Sequence, residues 1–236
     1  MRRSADRFTT VAPPRPDAAA GWATTRHSFS FGEHYDPANV GFGPLLALND
    51  ETVRAGEGYP EHPHRDVEIV TWVLSGTLRH SDSTGSWGMV GTGAVQRLGA
   101  GAGVRHTEGA GDDAPVHFVQ TWVRPDPGGT TPAYAVGTVD GSALASGWVP
   151  VASGSDPGAS VRLRSAGTTL WVTRLAVGEG RTLPTAPAAY VLVARGSAEV
   201  DGVGRLDEGD ALQITVPAPL AVVARAAAEV LVWTFA

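Results

Sequence analysis

The chain has 236 residues, 42% of them apolar and 18% charged, with a formal net charge of −6. That length suits one large β domain or two small ones and is enough to bury a core, while the acidic balance leaves no basic field for DNA or an anionic membrane. The absence of cysteine excludes disulfides, thiolate nucleophiles and thiolate metal sites, and the 18 basic residues are all arginine, which excludes a Schiff-base lysine.

The opening "MRRSADRFTT" has basic residues with no apolar run behind them, so no signal peptide is expected and the cytoplasm is the expected location. "VAPPRPDAAAGW" reads as a loop, and residues 1–45 are less regular than the remainder of the chain. Short runs rich in Val, Leu, Thr and Trp then recur: "VEIVTWVLSG", "VHFVQTWVRP", "TLWVTRLAVGEG", "AAYVLVARGSAEV", "APLAVVARA" and "EVLVWTF". Turn signals such as "DSTG", "GTG", "VGEG" and "DEGD" separate them. No long stretch has helical periodicity, which predicts an all-β sandwich or barrel. The most apolar stretch, 218–236, carries Arg225 and Glu229 and is not a membrane span.

The strand rhythm occurs twice. "VLSGTL" aligns with "VARGSAEV", and "GTGAVQ" with "EGDALQ". Two related β domains are therefore expected, residues 1–130 and 131–236, joined in the Pro/Gly-rich stretch 125–150. All seven histidines (27, 34, 62, 64, 80, 106 and 117) precede Phe118. Only the first domain can hold a histidine-based metal; the second reads as a scaffold or lid.

The stretch "EHPHRDVE" (61–68) holds His62 and His64 two residues apart. In a strand such residues share a face, roughly 6.6 Å apart, and imidazoles can converge on one ion at about 2.0–2.1 Å per bond. Pro63 between them predicts an edge strand or a strand start. Two surface histidines at a strand end are the competing reading. By parity Glu68 also points inward, with Trp72 beyond it. In "GAGAGVRHTEGAG", His106 and Glu108 are again two apart, and nearby glycines let backbone pass close to a buried site. Three imidazoles and a carboxylate suit one divalent transition metal: Fe, Mn, Co, Ni, Cu or Zn. The glycines at 99–103 resemble a dinucleotide motif, but a βαβ pattern is missing after them.

These stretches, with "FSFGEHYDPANVGFG", "LND" and "HPHRDVEIVTWVLSGTLRHSDSTG", resemble the pirin family of the cupin superfamily. The resemblance is dense from Trp22 to Pro125 and thin beyond. It implies a bicupin, two jelly-roll-like barrels, with one metal, usually iron, held in the first by His62, His64, His106 and Glu108. General cupins would instead take the carboxylate of Glu68; the pirin pattern puts Glu68 behind the ligands. Strand parity alone does not choose. Arg97 departs from the family's more apolar pattern and is expected at the pocket rim.

The resemblance also implies quercetin 2,3-dioxygenase activity: O₂-dependent cleavage of a flavonol with release of CO, Glu108 or a metal-bound hydroxide acting as base. Trp72, Phe118 and Trp122 are candidates to stack the substrate rings, or are simply core. Gln120 shares the strand face of Phe118 and Trp122 and either orients a ligand imidazole or a substrate oxygen or is a satisfied core group. His80 and Asp82 read as hairpin-turn residues, and His27 and His34 receive no role. The expected partners are a small aromatic substrate and O₂, for a monomeric chain, with no nucleic acid and no membrane. The alternative is a pirin without turnover that binds metal and acts as a redox-sensing or regulatory protein partner.

Overall fold

The computed structural model describes residues 1–14 and 20–236. Within them the segment 8–138 forms strands β1 (Phe8–Val11), β2 (Ala23–His27), β3 (Leu45–Val53), β4 (Gly58–His64), β5 (Glu68–Ser75), β6 (Thr77–Asp82), β7 (Trp87–Gly91), β8 (Ala94–Gly99), β9 (Val104–Ala110), β10 (Val116–Val123) and β11 (Ala133–Thr138). They make a seven-stranded sheet, β1-β2-β3-β10-β5-β8-β11, and a four-stranded sheet, β4-β9-β6-β7. Val53, Val73 and Phe118 of the first sheet pack with Leu78, Val90 and Ala110 of the second. The two sheets therefore close face to face over an apolar floor, as expected of a jelly roll.

Strand composition explains the layering. β5 is buried at every position but its last, because antiparallel neighbours flank it on both edges and its Val, Ile, Thr and Trp side chains suit a fully covered strand. β2 alternates instead: Ala23, Thr25 and His27 are buried, Thr24 and Arg26 exposed. Residues 1–45 are irregular in sequence pattern, yet β1 and β2 pair antiparallel from Phe8↔His27 to Val11↔Thr24. Their polar, Thr-rich composition hides the strand signal. Val11 opens the expected loop but belongs to β1; residues 15–19 of that loop lie outside the described residues.

The second unit comprises Met1–Arg7 and Val139–Ala236. It has a six-stranded sheet centred on Ala228–Phe235 and a four-stranded sheet centred on Ala221–Ala224 and Ser197–Val200. A short helix, Gly141–Ser146, is capped by the Asp140 side chain on the Ser142 N–H. Its interior is aliphatic: Val191, Val193, Val200, Leu206, Val222 and Val230 are buried together. The compact units are bounded differently from the expected division after residue 130. β11 pairs with β8 along its whole length, so the first unit runs to Thr138. Residues 1–7 join the second unit through the Arg2↔Ala211 bridge and the Arg3–Asp210 ion pair.

The repeat seen in the sequence has a physical basis at its aligned glycines. Gly76 (φ 76°) and Gly196 (φ 73°) both take the left-handed conformation. A Cβ at either would meet a carbonyl oxygen, of Pro115 or Ala227, at 2.2 or 2.0 Å. Only glycine fits these equivalent turns. Among the described residues no helix is long and apolar enough to cross a membrane.

Candidate metal centre

β4 is the edge strand of its sheet, which tolerates Pro60 and Pro63. Tyr59 pairs with Glu108 and His62 with His106, so three steps along β4 match two along β9. This bulge turns Tyr59 and His62 to the same face despite their odd separation. On the other side of β9, β6 sets His80 opposite Glu108 and Asp82 opposite His106. Cross-strand partners share a face, so β4, β9 and β6 aim Tyr59, His62, His106, Glu108, His80 and Asp82 into the same interior.

The donor atoms of His62, His64 and His106 lie within 4.8 Å of one another, close enough to share one ion. His62 Nδ1–H donates to the Pro60 carbonyl at 2.8 Å, which leaves the Nε2 lone pair directed inward, 3.0 Å from His106 Nε2. Such a bond on the outer nitrogen is how metal-binding imidazoles are usually held. Burial, reinforced by the neighbouring imidazoles and opposed by Glu108, lowers the His64 pKa to about 4. Burial also brings His106 to about 4, against the charge of Glu108 and with the help of His62 and His80. Both rings are thus neutral at pH 7, with lone pairs available to a cation. The donor set fits a divalent transition metal.

Glu108 lies on the same strand face as His106 and lines the same cavity as His62 and His64. It belongs to a second group of close donors with His106 and His80, all buried, rather than to the three-imidazole group. Its Oε1 accepts from Gln96 at 2.6 Å and its Oε2 from Gln120 at 2.8 Å. Burial alone would raise its pKa, but His80, His106 and Gln120 bring it down to about 2. Burial alone would lower the pKa of His80, but Glu108 and Asp82 raise it. The opposite shifts are those of a buried ion pair. His80 Nε2 also lies 3.1 Å from Asp82 Oδ2, and its ring stacks on Tyr134 at 4.3 Å. His80 and Asp82 are therefore part of the site, not merely of a hairpin turn. Only the β6–β9 register reveals this, and strand spacing does not encode it.

Three further expectations change. Glu68 does not face the imidazoles. Residues 65–67 break the strand between His64 and Glu68, and Asp66 takes φ 51°, so parity is not carried across. Gln120, which reaches Glu108, also bonds Thr71, and that marks the site-facing side of β5. Glu68, three residues from Thr71, lies on the other side, bonded to Arg97 at 2.6 Å. Arg97 is buried in that pair rather than placed at a rim. Gln120 orients the carboxylate of Glu108, not an imidazole.

A cavity of about 740 Å³ opens beside the imidazoles, within the usual size of small-molecule sites. Trp122 lines it, edge-on to His64 and to Phe31 at 4.9 and 5.3 Å. Trp72 and Phe118 do not: Trp72 is fully buried on the face of β5 opposite Thr71, and Phe118 lies in the apolar floor. His27, which carries no signal in the sequence pattern, also lines the cavity.

Two facing β-sheets in each unit, with a histidine-rich interior in only the first, define a bicupin. The matching family models agree: Pirin over residues 9–123, and Quercetinase C-terminal cupin domain over 150–234. A Mycobacterium tuberculosis protein named "Putative quercetin 2,3-dioxygenase" is 43% identical over 237 residues, covering 99% of this chain and 93% of that protein. The quercetin 2,3-dioxygenase of Escherichia coli K12 is 41% identical over 128 residues, 54% of this chain and 55% of its own length. The crystal structure of the bacterial pirin YhhW of Escherichia coli in complex with nickel(II) superposes with a TM-score of 0.87 at 30% identity, covering 99% and 97% of the two chains. The chain belongs to the pirin family.

Proposed function

We propose that this chain is a metal-dependent dioxygenase that cleaves a flavonol such as quercetin with O₂ and releases CO. The observation that carries the proposal is the convergence of three inward-facing imidazoles beside a cavity of about 740 Å³ with an aromatic side. His62, His64 and His106 would hold the ion, with Glu108 as the fourth donor, and family resemblance favours Fe(II). When bound, such an ion supplies Lewis-acid polarisation of the flavonol 3-hydroxyl and carbonyl and a meeting point for O₂.

The chain's own residues do the rest. Phe31 and Trp122 present aromatic surface to a flat ring. Glu108 is ionised at neutral pH and can accept a proton from the 3-hydroxyl. A carboxylate with a pKa of about 2 is better matched to charge neutralisation and metal binding than to strong base catalysis. Gln96 and Gln120 hold its orientation from the opposite sheet.

Anaerobic titration with a flavonol tests the reading. A red-shifted bound spectrum that bleaches on admitting O₂ supports it. Binding without bleaching points to a sensor, and no binding points to a pirin that acts through protein contacts.

A further inference from the structure

One side of the cavity carries a hydrogen-bonded row that neither group of close metal donors uses. Thr10 Oγ1 lies 2.9 Å from His27 Nε2, and His27 Nδ1 lies 2.9 Å from Asn49 Oδ1. Asn49 is in turn hydrogen-bonded to Glu51, two residues along β3. The Tyr59 hydroxyl donates to Glu51 Oε2 at 2.6 Å and lies 3.4 Å from Thr25 Oγ1. All six of these residues line the cavity.

Their placement comes from the strands. Thr10 belongs to β1, Thr25 and His27 to β2, Asn49 and Glu51 to β3, and Tyr59 to β4. Alternation turns Thr25 and His27 inward together, and Asn49 and Glu51 likewise. The bulge in β4 brings Tyr59 onto the same interior as His62. The row thus begins beside the imidazoles, where the Tyr59 and His62 rings are 6.4 Å apart, and continues over β3 and β2 to β1.

Glu51 is the group in this row that calls for a ligand. A carboxylate has about four acceptor positions, and Tyr59 and Asn49 supply two donors. Glu51 is 4% exposed, so bulk water does not replace the missing donors freely. A donor on a ligand in the cavity would favour the ionised form of Glu51, which burial disfavours. The nearby lining supplied by Phe31 and Trp122 is aromatic. A hydroxyl on a flat aromatic ring satisfies both sides at once, and above about pH 7, where Glu51 is ionised, its hydrogen bond to the carboxylate is of the strong, charge-assisted kind.

We infer that this row, with Glu51 as acceptor and Tyr59 holding it, recognises a ring hydroxyl of a planar phenolic ligand away from the imidazole cluster. The inference rests on the flavonol reading and narrows it. The preferred substrates are flavonols with further hydroxyls on their outer rings, not those with the 3-hydroxyl alone.

The test compares two probes, quercetin and 3-hydroxyflavone, which lacks the outer-ring hydroxyls. Their Kd values are measured without O₂ on the metal-loaded full chain, above about pH 7 so that Glu51 is ionised. The wild type should bind quercetin more tightly. Glu51→Gln should weaken quercetin about 10- to 100-fold, the worth of one hydrogen bond to a charged group, and leave 3-hydroxyflavone unchanged. Tyr59→Phe, which removes one oxygen at a half-buried position, should also narrow the preference, guarding against a misfolded Glu51 variant.

Equal wild-type affinity for both probes, or equal weakening of both in the two variants, overturns the inference. Admitting O₂ afterwards separates it from the proposed activity. Discrimination lost in Glu51→Gln without any turnover upholds the row and removes the dioxygenase. Turnover with no discrimination does the reverse. A wild type that binds neither probe removes both.

Discussion

Gln120 and Glu108 come from facing sheets and are joined by an amide-to-carboxylate hydrogen bond of 2.8 Å. Gln96 reaches the other oxygen at 2.6 Å. The carboxylate is therefore aimed from the seven-stranded sheet although its backbone lies in the four-stranded one. Gln120→Leu should free one oxygen and lower metal affinity or activity by about 10–100-fold, as is usual when a bond that orients a ligand is lost. Competition with a chelator measures it. Unchanged affinity and rate would reduce Gln120 to a space-filling role.

Glu108→Gln removes the charge itself. It should abolish turnover and weaken metal retention, whereas Glu68→Gln should leave the metal in place. The Glu68 variant should instead lose stability, because Arg97 is left buried without its partner, a change that costs about 3–5 kcal/mol. Urea unfolding and metal analysis of both variants decide the point. Metal lost from Glu68→Gln and kept by Glu108→Gln would contradict the placement of the two carboxylates.

Much of the site is legible in the sequence. The paired spacings of His62 with His64 and of His106 with Glu108 mark one strand face each, and the strands observed keep them so. Pro63 marks the edge strand correctly. Strand parity misplaces Glu68 because counting by twos assumes an unbroken strand, and residues 65–67 interrupt it with Asp66 at φ 51°. His80, Gln96 and Tyr59 are invisible as site residues for another reason. Their roles depend on register between distant strands and on a bulge, neither of which leaves a local pattern.

Glu51 gives a pH signature. Burial is the main cause that raises its pKa from 4.5 to about 7, the Tyr59 hydrogen bond opposing. The folded state therefore holds this proton over a window where the unfolded state has released it. Its contribution to stability is complete below pH 4.5 and is lost as pH rises through about 7. The rise corresponds to about 3 kcal/mol. The stability of the wild type relative to Glu51→Gln should fall across that window in denaturant titrations. A flat difference would mean that Glu51 stays ionised when folded.

One metal should bind per chain, within residues 8–138. Among the described residues, both groups of donors close enough to share an ion lie there, while the second unit's interior is aliphatic. His62→Ala or His64→Ala should empty the site. Metal analysis giving two ions per chain, or one that survives both substitutions, would place the site elsewhere.

The most direct measurement supplies metal-loaded protein with O₂ and two ligands, quercetin and the matching flavone that lacks only the 3-hydroxyl, and monitors CO release. Flavonol cleavage at this centre predicts CO and loss of the flavonol spectrum with quercetin, nothing with the flavone, and nothing from Glu108→Gln. Equal turnover of both ligands, or no CO from quercetin with the metal in place, would contradict it.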